Sequence, residues 1–125
     1  MNLNQITLPV CDIEKANQFY LAMGFTQIVK TDHYSRFECP NKATFSLLLT
    51  DDVFSNGAVI YFENAELEKW VASLKAKGFE FESVITEQRY LWREAVLKDP
   101  SSNKIKLYWA GGNRLNPPWR VEITD

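Results

Sequence analysis

The stretch ITLPVCDIEKANQFYLAMGF, residues 6–25, decides the fold, because its pattern returns in VIYFENAELEKWVASLKAKGF at residues 59–79. At the start of each copy, apolar and polar residues alternate, which predicts a strand with one buried face. In the first copy Asp12 then offers an N-cap, apolar residues follow at helical spacing, and Gly24 supplies a left-handed stop. Each copy therefore predicts a strand followed by a helix.

Adding 54 to the residue numbers of the first copy aligns it with the second. The identical pairs are Ile6 with Ile60, Glu14 with Glu68, Lys15 with Lys69, Ala22 with Ala76, Gly24 with Gly78 and Phe25 with Phe79. Average composition gives roughly one identity by chance over such a window. An internal duplication is the better explanation.

Short apolar runs predict three more strands after each helix. These runs are TQIVKT, YSRFEC and TFSLLLT in the first half, and FEFESVI, WREAVL and KIKLYW in the second. Each half therefore has the predicted element order β-α-β-β-β. A unit of this size buries too little surface to be stable alone. We expect an α+β protein in which two such modules pair into a U-shaped, eight-stranded mixed sheet around a cleft, with the helices on the outer face.

The expected organisation is a single domain over residues 1–125. Module 1 spans about 3–50, module 2 spans about 58–109, and a C-terminal tail covers 110–125. Because side chains alternate along a strand, the residues between the helix-facing positions line the opposite, inner face. That inner set is Gln5, Thr7, Val59, Tyr61, Lys106 and Tyr108.

Composition and charge limit the possible functions. Hydrophobic residues make up 46% of the chain, charged residues 24%, and the net charge is −2, as in soluble globular proteins. This balance predicts no nucleic-acid partner and no membrane partner, and the absence of long apolar runs leads us to expect a cytoplasmic protein. Cys11 and Cys39 lack CxxC spacing, which favours reduced packing thiols over a zinc site or a disulfide.

Three motifs in order resemble the vicinal oxygen chelate superfamily, which includes glyoxalase I, bleomycin-resistance proteins and extradiol dioxygenases. Residues 6–25 look like its first strand and helix with their FY and GF marks, and residues 59–79 look like the second copy. DPSSNKIKLYW, residues 99–109, is similar to its DPxGNxIEL turn and last strand. The resemblance covers residues 3–109 and implies a small-molecule ligand and a homodimer, to which the tail sequence NPPW could contribute.

The same resemblance implies where a metal would be held. Family members that bind metal use His, Gln or Glu side chains on the first and last strands of each half, which correspond here to Gln5, Ser46, Val59 and Lys106. Only Gln5 is a residue type that the family uses. Val59 has no donor atom, and Lys106 would place an ammonium beside a dication. We therefore expect no metal and no cofactor.

Lys106, in the middle of KIKLYW, is the most informative candidate for ligand binding. A cation on the inner face of a strand could anchor a carboxylate, phosphate or enolate-like group. The alternative is an internal salt bridge, for which Glu63 and Glu94 are the candidate partners.

Tyr34, Arg36, Tyr61, Trp92 and Tyr108 could complete an aromatic-walled pocket, although for any single aromatic residue the core is the favoured location. The candidate ligand-binding residues are therefore Gln5, Tyr34, Arg36, Tyr61, Trp92, Lys106 and Tyr108. His33 lies in a turn, where a solvated polar residue is expected. Arg93, Arg114 and Arg120 are expected to tie the tail down or to form an interface.

The sequence thus favours a glyoxalase and bleomycin resistance-like protein that lacks the family metal ligands and binds a small anionic or aromatic molecule. The alternative is an enzyme of the same superfamily, a metal-dependent or metal-free lyase, isomerase or dioxygenase. A third possibility is a cleft filled by its own side chains, with a protein that acts through its surface. No catalytic residue is assigned.

Overall fold

A computed structural model describes residues 1–51 and 54–124 of the protein. The elements are β1 Gln5–Val10, α1 Ile13–Met23, β2 Thr26–Lys30, β3 Tyr34–Glu38, β4 Thr44–Leu49, β5 Val59–Glu63, α2 Leu67–Ala76, β6 Thr86–Glu87, β7 Arg93–Lys98, β8 Lys104–Trp109 and a 3₁₀ helix Gly111–Arg114. The strands form two four-stranded sheets, with the orders β1-β4-β3-β2 and β5-β8-β7-β6. The α+β class and the repeated β-α-β-β-β pattern are confirmed.

The chain divides into two compact units. Unit 1 is Met1–Ala58 with Lys98–Lys104, and unit 2 is Val59–Leu97 with Ile105–Asp125. In unit 1, β1 runs parallel to β4, whereas β3 is antiparallel to both of its neighbours. The pairing of the modules around a cleft and the single-domain boundaries stay predictions.

Helix α1 begins and ends where its sequence predicts. The Asp12 carboxylate accepts a hydrogen bond from the backbone N–H of Lys15 at 3.0 Å, and Gly24 adopts a left-handed φ of 109°, which glycine takes without a steric penalty. The helix packs through Tyr20, whose ring contacts Phe37 and Phe45 at centroid distances of 5.9 and 5.0 Å. These contacts cover one face of the first sheet with the helix.

In unit 2 the apolar face of α2 is buried through Leu67, Val71 and Leu74. On β5, Ile60 and Phe62 are buried while Tyr61 between them is exposed, so the predicted alternation is confirmed. No helix in the described part of the chain has the length and the apolar content that a membrane span requires.

The strand predicted in FEFESVI is wrong. Residues 79–85 form no strand, and the edge strand of the second sheet is the two-residue β6, Thr86–Glu87. The segment does run beside β7, since Glu82 N–H donates to the Val96 carbonyl at 2.7 Å. However, Val96 N–H donates to the Ser83 hydroxyl at 3.2 Å. A side chain therefore takes the place of a backbone acceptor, and the ladder is interrupted.

The turns before β4 and before β8 have the same backbone geometry. Lys42 and Ser102 occupy equivalent positions with left-handed φ values of 75° and 66°. In each turn, the N–H of that residue donates to the carbonyl three residues earlier, on Cys39 at 2.9 Å and on Asp99 at 3.0 Å. The duplication seen in the sequence therefore extends to the turns.

The second of these turns carries a buried hydrogen-bond network around Asp99. The carboxylate accepts from the Tyr20 hydroxyl at 2.7 Å and from the backbone N–H groups of Ser101 and Asn103 at 2.8 and 2.9 Å. Asn103 Nδ2 also donates to Asp99 at 2.9 Å and to the Pro9 carbonyl at 2.8 Å. Burial raises the pKa of Tyr20 well above its usual range, and the charge of Asp99 adds to this effect. The DPSSN motif thus stabilises unit 1 as a structural element.

Both cysteines are free thiols, as predicted, but Cys11 is exposed, so the prediction that it packs in the interior is wrong. Cys11 lies before α1, where its backbone N–H donates to the Ser101 hydroxyl at 3.0 Å. Burial is the main cause that raises the pKa of the Cys39 thiol, with a smaller contribution from Glu38. Cys39 is therefore not an activated nucleophile.

Candidate functional site

Five polar side chains of the first sheet form a continuous series of hydrogen bonds, which we call the polar chain. The Thr44 hydroxyl donates to Gln5 Oε1, and Gln5 Nε2 donates to Ser46 Oγ at 2.8 Å. Ser46 Oγ and the Tyr34 hydroxyl are hydrogen-bonded at 2.6 Å. Arg36 closes the series, because its Nε and Nη2 donate to the Tyr34 oxygen at 3.0 and 2.8 Å.

Strand register explains why these residues meet. Ser46 on β4 lies beside Thr7 of β1 on one side and beside Arg36 of β3 on the other. Tyr34 is two residues before Arg36 on the same strand and therefore shares its face. The structure thus brings together three of the candidate residues, Gln5, Tyr34 and Arg36. Neither Thr44 nor Ser46 was among the predicted ligand-binding residues, and Ser46 entered only as one of the family metal positions.

The Tyr34 hydroxyl is the point on which the polar chain converges. Its hydrogen bond with Ser46 is the largest cause that lowers the pKa of Tyr34, and the Arg36 guanidinium lowers this pKa further by hydrogen bonding and charge, against an opposing effect of burial. A phenolate oxygen accepts three hydrogen bonds more readily than a phenol oxygen does. These hydrogen bonds therefore hold the pKa of Tyr34 below that of a free phenol.

In unit 2, Lys106 forms the internal salt bridge that the sequence left open. Its Nζ lies 3.0 Å from Glu94 Oε1, and the Glu94 side chain is only 2% exposed. The Tyr90 hydroxyl donates to the same oxygen at 2.5 Å. The hydrogen bond to Glu94 is the largest cause that raises the pKa of Lys106, although desolvation opposes it. Lys106 is therefore a paired ammonium, and its partner is Glu94 rather than Glu63.

An aromatic cluster surrounds this pair. Trp92 and Tyr108 are stacked, with ring centroids 4.7 Å apart, and Tyr61 meets both rings edge-on at 5.8 and 5.6 Å. Lys106 Nζ lies 5.6 Å from the centroid of the Tyr61 ring, within the range of a cation–π contact. Tyr108 is buried and belongs to the core, whereas Tyr61 is 43% exposed and can meet a ligand.

A pocket of about 320 Å³ opens over this cluster. It is lined by Tyr61, Tyr90, Trp92, Asn113, Arg114, Pro117 and Trp119. The tail is held near the cluster by the Trp92 indole, whose N–H donates to the Asn113 carbonyl at 3.5 Å. Among the described residues, no carboxylate forms an ion pair with the Arg114 guanidinium. The pocket therefore combines aromatic walls with one cation that has no acidic partner there.

Neither Tyr90 nor the tail residues are predicted from the sequence to line a pocket. The only signal in the tail is the apolar NPPW, which predicts an interface. Of the arginines assigned to the tail, Arg93 instead pairs with Glu68 on α2. Arg120 bonds within the tail, to the Leu115 carbonyl at 3.0 Å and to Asn116 Oδ1 at 2.7 Å.

The residues at the positions where the family places metal ligands do not suit a divalent ion. Gln5 and Ser46 are hydrogen-bonded to each other, Val59 is apolar, and Lys106 is positively charged. A divalent ion requires several oxygen, nitrogen or sulfur donors, most of them anionic or imidazole. Within residues 1–51 and 54–124, no group of three or more His, Cys, Asp or Glu side chains could hold a metal.

Solved structures with a similar fold support the architecture at low sequence identity. A lactoylglutathione lyase from Agrobacterium tumefaciens gives a TM-score of 0.75 at 16% identity, covering 92% of this chain and 96% of that chain. A glyoxalase/bleomycin resistance protein/dioxygenase from Nocardioides gives 0.78 at 17% identity, covering 98% and 90%. A bleomycin-binding protein complexed with bleomycin gives 0.75 at 14% identity, covering 87% and 98%. These similarities establish the fold alone.

Comparison at the level of sequence identifies the family. A search of curated proteins found no match. The profile of one family, in contrast, matches residues 2–107, which contain both copies of the repeat and all eight strands except the end of β8. The chain therefore belongs to the Glyoxalase/Bleomycin resistance protein/Dioxygenase superfamily.

Proposed function

We propose that the protein binds a small aromatic molecule with an anionic group, in the pocket of unit 2, and that it does so without a metal. The observation that carries this proposal is the composition of the pocket, which has four aromatic side chains and the guanidinium of Arg114 around about 320 Å³. Small-molecule sites combine apolar walls with a few polar groups in the same way, and their volumes begin at roughly 300 Å³.

The charges favour Arg114 over Lys106 as the anchor for an anion. Glu94 neutralises Lys106 at 3.0 Å, whereas Arg114 has no carboxylate partner among the described residues. The aromatic walls offer faces on which a planar ring can stack. The bleomycin-binding protein among the structural neighbours, which was solved with bleomycin, supports the general class of small-molecule binding.

Naphthoate, a planar aromatic anion, tests the pocket. We expect it to quench the fluorescence of the pocket tryptophans saturably, and we expect Arg114→Gln to weaken this binding about tenfold, because one charge-assisted hydrogen bond is lost. Arg89→Gln is the matched control, since Arg89 is an exposed arginine next to Tyr90 that does not line the pocket. Equal affinities for naphthoate in the two variants would contradict the role of Arg114.

Added metal tests the absence of a metal requirement. We expect excess Ni²⁺, Zn²⁺, Fe²⁺ or Mn²⁺ to leave the Tm of the purified protein unchanged. An ion that did bind the folded state alone would stabilise it by about 2.7 kcal/mol at 100 times its Kd, and the Tm would rise. Elemental analysis of the protein as purified provides the independent measurement. One stoichiometric ion per chain would disprove this part of the proposal.

The alternative is a metal-free lyase or isomerase of the same superfamily. One observation favours it, namely that Glu94 Oε2 is buried and makes no hydrogen bond within the described residues, while Oε1 is shared by Lys106 and Tyr90. A carboxylate with one uncommitted oxygen could serve as a base. Chromatography of candidate thiol adducts and aromatic acids after incubation with the protein distinguishes turnover from binding alone.

We further propose that the protein is a cytoplasmic homodimer. The tail supports this assembly with apolar side chains that are more than half exposed, Leu115, Trp119, Val121 and Ile123. Apolar side chains that cluster at a surface are commonly covered by a partner. Light scattering of the purified chain, with a tail truncated after residue 116 for comparison, measures whether a dimer forms there.

A further inference from the structure

We propose that Arg36 forms an oxyanion-binding site in unit 1, in which the free edge of its guanidinium binds a carboxylate or phosphate group and the polar chain holds that edge in place. Every residue of this site belongs to unit 1. The site therefore does not depend on the pocket of unit 2, and either proposal can fail without the other.

The geometry of the guanidinium leaves one edge available. A guanidinium is planar and carries five N–H groups, which form two forks that each suit a pair of oxygen atoms. In Arg36 the fork made by Nε and Nη2 points at the Tyr34 oxygen, at 3.0 and 2.8 Å. The other fork, made by Nη1 and the second N–H of Nη2, remains for a bidentate anion.

No acidic side chain in the described chain neutralises Arg36. Glu38 is two residues away on the same face of β3, but it lies 3.9 Å from Lys42 in an ion pair. The partners of the Arg36 guanidinium are instead the hydroxyl and the ring of Tyr34, whose centroid lies 5.5 Å from the guanidinium carbon. The side chain is only partly exposed, so an incoming anion would compete with less water than at an open surface.

The polar chain supplies the rigidity that such a site requires. Thr44 fixes the amide of Gln5, Gln5 fixes the hydroxyl of Ser46, and Ser46 fixes that of Tyr34. Ser46 is fully buried, which prevents rotation of this link into solvent. A guanidinium held in this way loses little conformational entropy on binding. Gln5 and Ser46 lie at the positions of the family metal ligands, but here they position the guanidinium of Arg36.

The arrangement also predicts a spectroscopic signature. Arg36 lowers the pKa of Tyr34 by hydrogen bonding and charge. An anion bound to the free fork offsets that charge, so the pKa of Tyr34 should rise when the site is occupied. A merely structural Arg36 would leave this pKa unchanged on addition of the anion.

Titrations with acetate and with inorganic phosphate, at constant ionic strength set with chloride, test the site. The readouts are the NMR signals of the Arg36 side-chain N–H in the wild type and, in every variant, of the backbone amides of β3. We expect a saturable shift of these signals with at least one of the two anions, and the backbone signals should report binding at least tenfold weaker in Arg36→Gln. Arg93→Gln, which removes an arginine that is paired with Glu68, should bind like the wild type. The anion that saturates the signal identifies the preferred class.

Two further measurements test whether Tyr34 takes part in anion binding. Near-ultraviolet absorbance, compared with Tyr34→Phe, should show the Tyr34 titration moving to higher pH when the binding anion is present. Tyr34→Phe should itself weaken anion binding severalfold while the protein stays folded by circular dichroism, because the fork loses its support. The proposal is overturned if neither anion gives a saturable shift, if Arg36→Gln binds as the wild type does, or if the Tyr34 titration does not move.

Discussion

Asp99→Ala should lower the free energy of unfolding by about 4 kcal/mol, since several buried donors lose their acceptor at once. The Tyr20 hydroxyl, the backbone N–H groups of Ser101 and Asn103, and the Asn103 side chain all donate to this carboxylate. Water cannot replace the acceptor easily, because Asp99 is only 4% exposed. Urea unfolding followed by circular dichroism measures the loss.

Asp32→Ala is the matched control for this prediction. Asp32 lies exposed in the turn before β3, and its removal should change stability by no more than about 0.5 kcal/mol. A similar loss in both variants would show that the network around Asp99 contributes little.

The same network predicts how stability changes at high pH. Because the folded-state pKa of Tyr20 is raised, its contribution is fully present below the unfolded-state tyrosine pKa of about 10 and declines above it. Tyr20→Phe should therefore unfold with a weaker dependence on pH in this range. An unchanged dependence would argue against the raised pKa of Tyr20.

The second large effect is expected for Lys106→Met, which leaves the Glu94 carboxylate buried without its cation. Removing one partner of a buried pair costs about 3 to 5 kcal/mol, and Glu94 is 2% exposed while the lysine side chain is 17% exposed. The double variant Lys106→Met with Glu94→Gln should recover most of this loss, because no unpaired charge remains. Thermal and urea unfolding measure both variants.

Lys104→Met is the control on the same strand, because Lys104 is exposed and should tolerate the change. Since the pKa of Lys106 is raised in the folded state, the stabilisation by the pair is fully present below the unfolded lysine pKa of about 10.4 and is lost as pH rises through the higher folded value. Equal losses in the two methionine variants would show that the salt bridge stabilises nothing.

The repeat made most of the fold predictable. Strand β8 coincides with KIKLYW, and α1 begins after Asp12 and ends before Gly24, because capping and periodicity are local properties of the chain. The prediction of a strand in FEFESVI was wrong for a reason that is not local. The Ser83 hydroxyl accepts the hydrogen bond of the Val96 N–H on β7, in place of a backbone carbonyl. Alternation alone cannot show which acceptor a distant N–H will use.

The site was less predictable, because it depends on which strands are neighbours. The sequence left Glu63 and Glu94 as equal candidates to pair with Lys106. In the second sheet β8 lies between β5 and β7, so Glu63 and Glu94 occupy the strands on its two sides. The pairing is decided by the three-dimensional contact of Lys106 with Glu94. Likewise, nothing in the local pattern of the tail indicated that Arg114 and Trp119 line a pocket with Trp92.

The turn Lys98–Lys104 limits how far the first half of the chain can fold without the second. It belongs to unit 1 although it lies in the second half of the sequence, and it supplies the partners of the Tyr20 hydroxyl and the Pro9 carbonyl. A fragment that ends at residue 58 would leave both groups without these partners. Although the sequence repeats, its first half therefore needs a segment of the second half to satisfy polar groups of its own unit.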